Sequence, residues 1–394
     1  MLTREVNETL TQTGPGTPAG ELLREYWHPV NTSESIPEPG DIRTVELLGE
    51  RLVMYRDLQG SVNITPEQCP HRGASLAYGF VEDEGLRCSY HGWLFDESGQ
   101  CLERPFETSE PGTGCHLPPY SAREEAGLIF ASLRREGPPP FPLWDILARK
   151  DGGFRIDLQE PLECNWLQIQ ENTVDTTHTS FLHSRKFEEK GLEDTSGFSP
   201  PLLEFGFQPF EYGIVKSWAY RDEDGSRLEG FGNPLIFPNM MRIETEMHYR
   251  VPVNDTETQV IILAFDPEGE GVTTRQLPDR RNPDGSYTMT DFYSQDAMAW
   301  ETQGPIADRS KEVLGASDVG IVMYRNMLRR AIEAVERGDE PPARKGPPVI
   351  NLRPWMNGYL PMSAPPDTTP TERYSRDEVF DDRHRSHLVP QRTR

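Results

Sequence analysis

No run of this chain approaches eighteen consecutive apolar residues, so no membrane-spanning helix is expected. Its start, Met1-Leu2-Thr3-Arg4-Glu5, lacks the basic-then-apolar order of a secretory signal. Positive charge is scarce: 40 Lys and Arg against 64 Asp and Glu leave a net charge of −24. Duplex-binding proteins carry a basic face, so nucleic acid is not an expected partner. The acidity reads as a solvated surface that favours solubility, with a docking face for a basic redox partner as the alternative. Cysteine is sparse as well, with five at 69, 88, 101, 115 and 164. Two belong to the ligand pattern described next, and the remaining three make no even disulfide framework, which fits a reducing cytoplasm. A nucleotide-binding signature is also missing. Gly14-Pro15-Gly16-Thr17-Pro18 contains Gly-x-Gly, but its prolines forbid the helix that should follow, and no strand pattern precedes it.

What is present begins with residues 69–91. Cys69-Pro70-His71 is followed, sixteen residues later, by Cys88-Ser89-Tyr90-His91. Two Cys and two His paired in this way can hold one metal centre from two loops. A structural zinc site more often uses Cys-x2–4-Cys with His-x3–5-His. Two buried thiols with two unrelated surface His would require both pairs to arise by chance. A Rieske 2Fe–2S centre needs this mixed set, two thiolates on one iron and two imidazoles on the other. Glycines at 73 and 92 let each loop turn tightly and bring its N–H groups towards cluster sulfurs. On these residues the chain resembles the Rieske iron–sulfur proteins. Neither loop carries an extra Cys to tie the loops together. Trp93, not a hydroxyl donor, follows His91-Gly92, so a lower reduction potential is expected, of the oxygenase kind. Trp93 and Tyr90 are expected to shield the cluster, and Cys101, Cys115 and Cys164 to be inert small residues.

The 394 residues suffice for two or three domains, and the 35% of hydrophobic residues is enough for ordinary cores. Residues 20–27 read as a short amphipathic helix. From about 41 to 135 the pattern is short strands and turns, with 44–48 and 51–55 forming a hairpin-like pair. Gly137-Pro138-Pro139-Pro140 reads as a linker. Strand patterns return over 206–265. Residues 308–338 carry apolar Val313, Leu314, Ile321, Val322, Met327, Leu328, Ile332 and Val335 at helical spacing. The tail from 345 onward has little periodicity and is expected to be extended, packed on a neighbour or disordered.

A second constellation lies at 165–183. His178 and His183 are five apart and would point about 140° apart on a regular helix. They can meet on one metal only where the helix bulges or ends between them. Thr173, Val174, Thr176, Thr177 and Thr179 are β-branched and make such a break plausible. Asp175 shares a face with His178. Two His and one carboxylate are the facial triad of non-haem Fe(II) oxygenases.

The order of these features resembles the large (α) subunit of Rieske non-haem iron aromatic ring-hydroxylating oxygenases, over nearly the whole chain. The matching pieces are the cluster loops and the run Glu171-Asn172-x-x-Asp175-x-x-His178-x4-His183. Val251-Pro252-Val253-Asn254-Asp255-Thr256 and Gln303-Gly304-Pro305-Ile306-x-Asp308-Arg309 point to the phthalate dioxygenase-like branch. The resemblance implies an α+β chain, an all-β Rieske domain beside a helix-grip (START/Bet v 1-like) catalytic domain with an antiparallel sheet. The implied divisions are an N-terminal segment 1–40 packing on the catalytic domain, a Rieske domain 41–140, a catalytic domain 141–344 and an extension 345–394. It implies one 2Fe–2S cluster on Cys69, His71, Cys88 and His91. It also implies one mononuclear Fe(II) on His178, His183 and a downstream Asp near the start of a late helix. Asp296 fits that place, with Asp291, Glu301 and Asp308 as rivals. Asp175 is expected to bridge a cluster His of one subunit to an iron-ligand His of the next, and Asn172 to lie near the iron. The expected partners are O2, a small aromatic, in this branch a carboxylate, and an NAD(P)H-dependent reductase of flavin or ferredoxin type. A homotrimer or stacked trimers is the expected assembly. Arg155, Arg185, Arg242 and Arg250 are candidate anion partners, with surface ion pairing as their alternative. An electron-transfer protein without oxygenase activity is the competing class, although such a protein needs only about the first 140 residues.

Overall fold

Residues 42–56 show how local chemistry builds the smaller of two units. Strands β1 (His28–Thr32), β2 (Ile42–Leu47) and β3 (Glu50–Arg56) come first, and β2 pairs with β3 from Leu47↔Glu50 to Ile42↔Tyr55. Leu48 and Gly49, with φ of 51° and 72°, close that hairpin in the left-handed region that tight two-residue turns use. The Leu48 conformation is secured by backbone bonds from Leu48 and Gly49 to the Pro252 and Val253 carbonyls, at 3.0 and 2.8 Å.

The structure, a computed structural model, describes residues 2–108, 114–184, 186, 189, 202–221, 225, 227–344, 349–356 and 389–390. Their contacts divide into two compact units. One holds Thr13–Phe141 with Val251–Asn254, and the other holds the described residues of Met1–Gln12, Pro142–Arg250 and Asp255–Arg394. The 1–40 segment is therefore shared, residues 2–12 counting with the larger unit and the rest with the smaller.

The smaller unit is all-β apart from helix Pro18–Arg24 and short turns. It continues with β4 (Val62–Pro66), β5 (Phe80–Glu82), β6 (Gly85–Arg87), β7 (Leu94–Phe95), β8 (Cys101–Glu103), β9 (Ser121–Glu125) and β10 (Leu128–Ser132). Three sheets result, in the orders β1-β10-β9, β2-β3-β4 and β5-β6-β7-β8. Val53, Leu76, Leu86, Phe95 and Leu117 pack with Cys69, Cys88 and Cys101 into one core, which places three of the five thiols inside it.

The larger unit is built on one sheet of nine strands among the described residues. These are β11 (Gly153–Leu158), β12 (Leu202–Phe210), β13 (Gly213–Arg221), β14 (Arg227–Ile236), β15 (Met240–Ile243), β16 (Glu246–Asn254), β17 (Glu257–Asp266), β18 (Val272–Gln276) and β19 (Val389–Pro390). The order is β18-β11-β17-β16-β15-β14-β13-β12-β19, and β18 runs parallel to β11. Helices Arg4–Thr11, Trp166–Asn172, Phe292–Glu301 and Val319–Glu336 accompany it. A Cβ on Gly320 would lie 2.5 Å from the Val174 carbonyl and 2.7 Å from the Phe207 ring, so glycine permits close packing of the last helix on β12. None of the helices is long and apolar enough to cross a membrane.

The expected helix over 308–338 is shorter than its apolar spacing implies. It runs from Val319 to Glu336, and Val313 is exposed. Asp308 accepts from the Ser310 amide and hydroxyl, and Asp318 Oδ2 accepts from Gly315 N–H. These local bonds give the backbone an alternative to helix before 319. Within the tail, Ile350 bonds to Leu143 and Asp145, and Val389–Pro390 pairs with β12. The rest of 345–394 lies outside the described residues.

Candidate metal centres

The two cysteine loops follow one backbone plan. Cys69 N–H donates to the Ala74 carbonyl at 2.9 Å, and Gly73 N–H donates to the Cys69 carbonyl at 2.9 Å. Cys88 N–H donates to the Trp93 carbonyl at 2.9 Å, and Gly92 N–H donates to the Cys88 carbonyl at 3.0 Å. Gly73 and Gly92 occupy the same left-handed position, with φ of 72° and 76°. The unequal Cys-x-His and Cys-x-x-His spacings thus sit on equivalent turns.

The thiols of Cys69 and Cys88 are buried, while His71 and His91 are half-exposed with ring centroids 4.6 Å apart. Burial pushes the Cys69 thiol up to about 11, against the pull of backbone N–H groups of His71 and Arg72. Those N–H groups are aimed at sulfur, where they favour a thiolate. Trp93 stacks on His71 at 4.3 Å with the planes 3° apart, and Tyr90 lies against His91 at 3.8 Å. Arg87 braces the second loop, donating to the Gly92 carbonyl at 2.7 Å while paired with Glu82 and Glu103. Glu67 braces the first, accepting from Ser75 Oγ at 2.7 Å.

The second site starts from helix Trp166–Asn172, capped by the Asn165 side chain. Two of its buried polar side chains, Gln168 and Glu171, are fully engaged. Gln168 donates to the carbonyls of Trp300 and Gly304, and Glu171 takes two arginines, Arg309 and Arg325. The 303–309 stretch is therefore a clamp on this helix. Beyond it, Thr179–His183 form a π turn, and Ser184 N–H bonds to the Thr179 carbonyl five residues back. A π turn adds a residue to each turn. It brings His178 and His183 onto one side, with ring centroids 5.2 Å apart.

Helix Phe292–Glu301 carries Asp296 to the same place. Asp296 Oδ1 lies 3.5 Å from His183 Nε2 and 3.9 Å from His178 Nε2. The ligand atoms of all three residues fall within 4.8 Å of one another. Donors about 2.1 Å from one ion and at right angles sit roughly 3 Å apart. Asp296 Oδ1 is buried without a hydrogen-bond partner, as a ligand awaiting a cation would be. The three donors therefore fit a 2-His-1-carboxylate metal. The rival acids are occupied elsewhere: Asp291 caps the helix, Glu301 pairs with Arg280 and Arg281, and Asp308 pairs with Lys311.

Three further side chains orient the histidines. Gln295 Oε1 lies 2.8 Å from His183 Nδ1, so that nitrogen carries the proton and Nε2 keeps its lone pair. Asp175 Oδ2 lies 3.7 Å from His178 Nδ1, and its other oxygen accepts from the Thr177 amide and hydroxyl. Burial opposes ionisation of Asp175, but His178 and Thr177 outweigh it and hold the carboxyl at about 2. Burial likewise opposes charge on His178, and Asp175 and Asp296 together raise it. Asn172 Nδ2 lies 3.4 Å from His178 Nε2. Nothing in the sequence marked Gln295 apart from its place beside Asp296.

Of the anion candidates, Arg155 pairs with Asp157, and Arg185 lies outside the described residues. Strand pairing of Met241↔His248 and Arg242↔Met247 puts Arg242 and Arg250 on opposite faces. Arg242 faces the charge of Asp145, and Arg250 faces that of Asp296.

Comparisons with known proteins agree with this architecture. Residues 26–120 match the Rieske [2Fe-2S] domain, and residues 273–350 match the LigXa C-terminal domain like family. The solved structures include the terminal oxygenase of carbazole 1,9a-dioxygenase from Nocardioides aromaticivorans IC177, with TM-score 0.57 at 18% identity over 86% of this chain and 98% of that one. Similar proteins include the 5,5'-dehydrodivanillate O-demethylase oxygenase subunit of Sphingobium sp., 37% identical over 89% of this chain and 85% of the relative. The phthalate 4,5-dioxygenase oxygenase subunit of Pseudomonas putida is 31% identical over 86% of this chain and 88% of the relative. Fold and domains thus define a Rieske-type oxygenase subunit. The chain belongs to the oxygenase subunits of the Rieske non-haem iron aromatic ring-hydroxylating oxygenases, in the branch that includes phthalate dioxygenase.

Proposed function

We propose that this chain hydroxylates a small aromatic carboxylate, by cis-dihydroxylation or at a methoxy carbon. Cys69 and Cys88 hold one cluster iron, His71 and His91 hold the other, and His178, His183 and Asp296 hold a mononuclear Fe(II). The metals supply one-electron delivery and O2 activation when bound. The observation that carries the reading is the unpartnered Asp296 Oδ1 between two imidazole Nε2 atoms, 3.5 and 3.9 Å away. Gln295 keeps the His183 proton on Nδ1. Asp175, with its carboxylate 3.7 Å from His178 Nδ1, is the candidate electron bridge between subunits of a homotrimer or stacked trimers. Asn172 places an amide N–H₂ beside the metal-facing nitrogen of His178. A separate NAD(P)H-dependent reductase of flavin or ferredoxin type supplies the electrons. None of the five cysteines is in a disulfide, which suits a reducing cytoplasm.

The test is anaerobic iron and sulfide analysis with electron paramagnetic resonance of the reduced protein. The wild type should hold about three irons and two sulfides per chain, with a Rieske signal. Asp296→Ala should keep the signal, lose one iron and lose turnover. An Asp296→Ala protein with full iron and turnover would overturn the ligand assignment.

A further inference from the structure

The larger unit gives most of its buried arginines acids. Arg280 pairs with Glu301, Arg309 with Glu171, and Arg325 with Glu171 and Glu312. Arg242 and Arg250 are buried without an ion pair among the described residues, and of the two Arg250 lies on the face towards Asp296. It is 2% exposed, yet Nε and Nη1 have no hydrogen-bond partner among the described residues, and Nη2 meets the Met241 sulfur at 3.7 Å. Lys216 on β13 shares its surroundings. The charges acting on Lys216 are Asp175, Arg250 and Asp296, and it makes no ion pair among the described residues. Phe207, its partner across β12, packs on Gly320, which fixes this face as the one towards the last helix.

A buried cation without a partner is expensive, which falls hardest on the buried Arg250, while Lys216 is half-buried. Burial draws Lys216 down to about 8 and Arg250 down to about 10. Among the described residues, the acids whose charges reach them are already engaged. Asp296 is committed to the metal in the proposed reading, and Asp175 is held by Thr177 and His178. Two cations beside a divalent ion leave the site short of negative charge.

We propose that Arg250 and Lys216 form the subsite that binds the carboxylate of the aromatic substrate. This assignment rests on the oxygenase reading above and adds the residues that set its specificity. The planar fork of Arg250 matches a carboxylate edge, and Lys216 adds a compact charge beside it. A neutral aromatic of the same shape would leave Arg250 buried and unpaired and Lys216 without its counter-charge, so the site rejects it.

Calorimetric titration of the Fe(II)-loaded protein with 3-methoxybenzoate and neutral 3-methoxybenzamide tests this. The wild type should bind the acid about 100-fold more tightly than the amide. Arg250→Gln should lose about 100-fold for the acid and change by less than about threefold for the amide, and Lys216→Met should lose about tenfold for the acid. Arg250→Lys, which keeps the charge and loses the fork, should fall between wild type and Arg250→Gln, and circular dichroism checks that each variant folds. Equal binding of both probes, binding of neither, or an acid preference kept in both Arg250→Gln and Lys216→Met overturns the subsite. A wild type that prefers the acid but cannot retain a third iron removes the oxygenase reading and leaves the subsite standing.

Discussion

The two candidate metal centres are built by opposite strategies. At the cluster loops, all four candidate ligands come from 23 consecutive residues, 69–91, and backbone turns place them. At the candidate mononuclear site, His178 caps and His183 ends a π turn, and Asp296 comes from a helix more than a hundred residues later. Backbone bonds and two glycines fix the first geometry. Side chains such as Gln295 and Asp175 fix the second, inside a scaffold that depends on buried ion pairs. Local construction makes a site readable and tolerant of distant change. Distributed construction makes it sensitive to residues that touch no metal.

Acid should separate the two units most strongly. His28 in the cluster-bearing unit is held down to about 4 by burial and the nearby Arg24 charge, despite a 2.8 Å contact to the Leu23 carbonyl. Its folded form resists a proton that the unfolded chain accepts near pH 6.5. Its stabilising contribution is therefore complete above pH 6.5 and is lost as pH falls towards 4, by about 3 kcal/mol. Thermal melts followed by cluster absorbance should drop across that interval. His28→Gln should flatten the slope, and an unchanged slope would assign the acid lability to other groups.

Gln295→Leu probes the distributed site. It should weaken mononuclear iron binding by about 10- to 100-fold and leave the two sulfides and the Rieske signal intact. Gln295→Glu, which retains an acceptor for His183 Nδ1–H, should recover most of the iron. Loss of both centres together in Gln295→Leu would show a general folding role instead.

Glycine substitutions sharpen the comparison within the cluster loops. Gly73→Ala and Gly92→Ala both place a side chain at positive φ, at about 1–2 kcal/mol each. A Cβ at Gly92 also meets Pro105 at 3.0 Å, whereas one at Gly73 meets nothing within 4 Å. Gly92→Ala should therefore lower the melting temperature more, and equal losses would mean that Pro105 yields.

Much of this was legible because it was local. The hairpin at 42–56, the Cys and His spacings and the need for an irregular turn between His178 and His183 all follow from neighbours in sequence. The residues that the spacing could not rank were those whose roles depend on remote partners. Asp291, Glu301 and Asp308 stood as rivals to Asp296, and capping and ion pairs occupy them. Arg242 and Arg250 likewise looked alike in the sequence. Strand pairing turned one towards Asp145 and the other towards Asp296.

The sequence by itself determined that two thiols and two imidazoles would meet on paired loops. Their spacing and glycines act over a few bonds and need no long-range contact. It also determined that 308–338 carried apolar helical periodicity, though not that Asp308 and Asp318 would hold the backbone out of a helix until Val319. Tertiary structure alone decided that Asp296 would stand with His178 and His183, that Gln295 would set the His183 proton, and that Arg250 and Lys216 would share one face without an acid. The physical reason is that burial and pairing are properties of the assembled sheet and helices. A carboxylate or guanidinium acquires its chemistry from what the fold places opposite it.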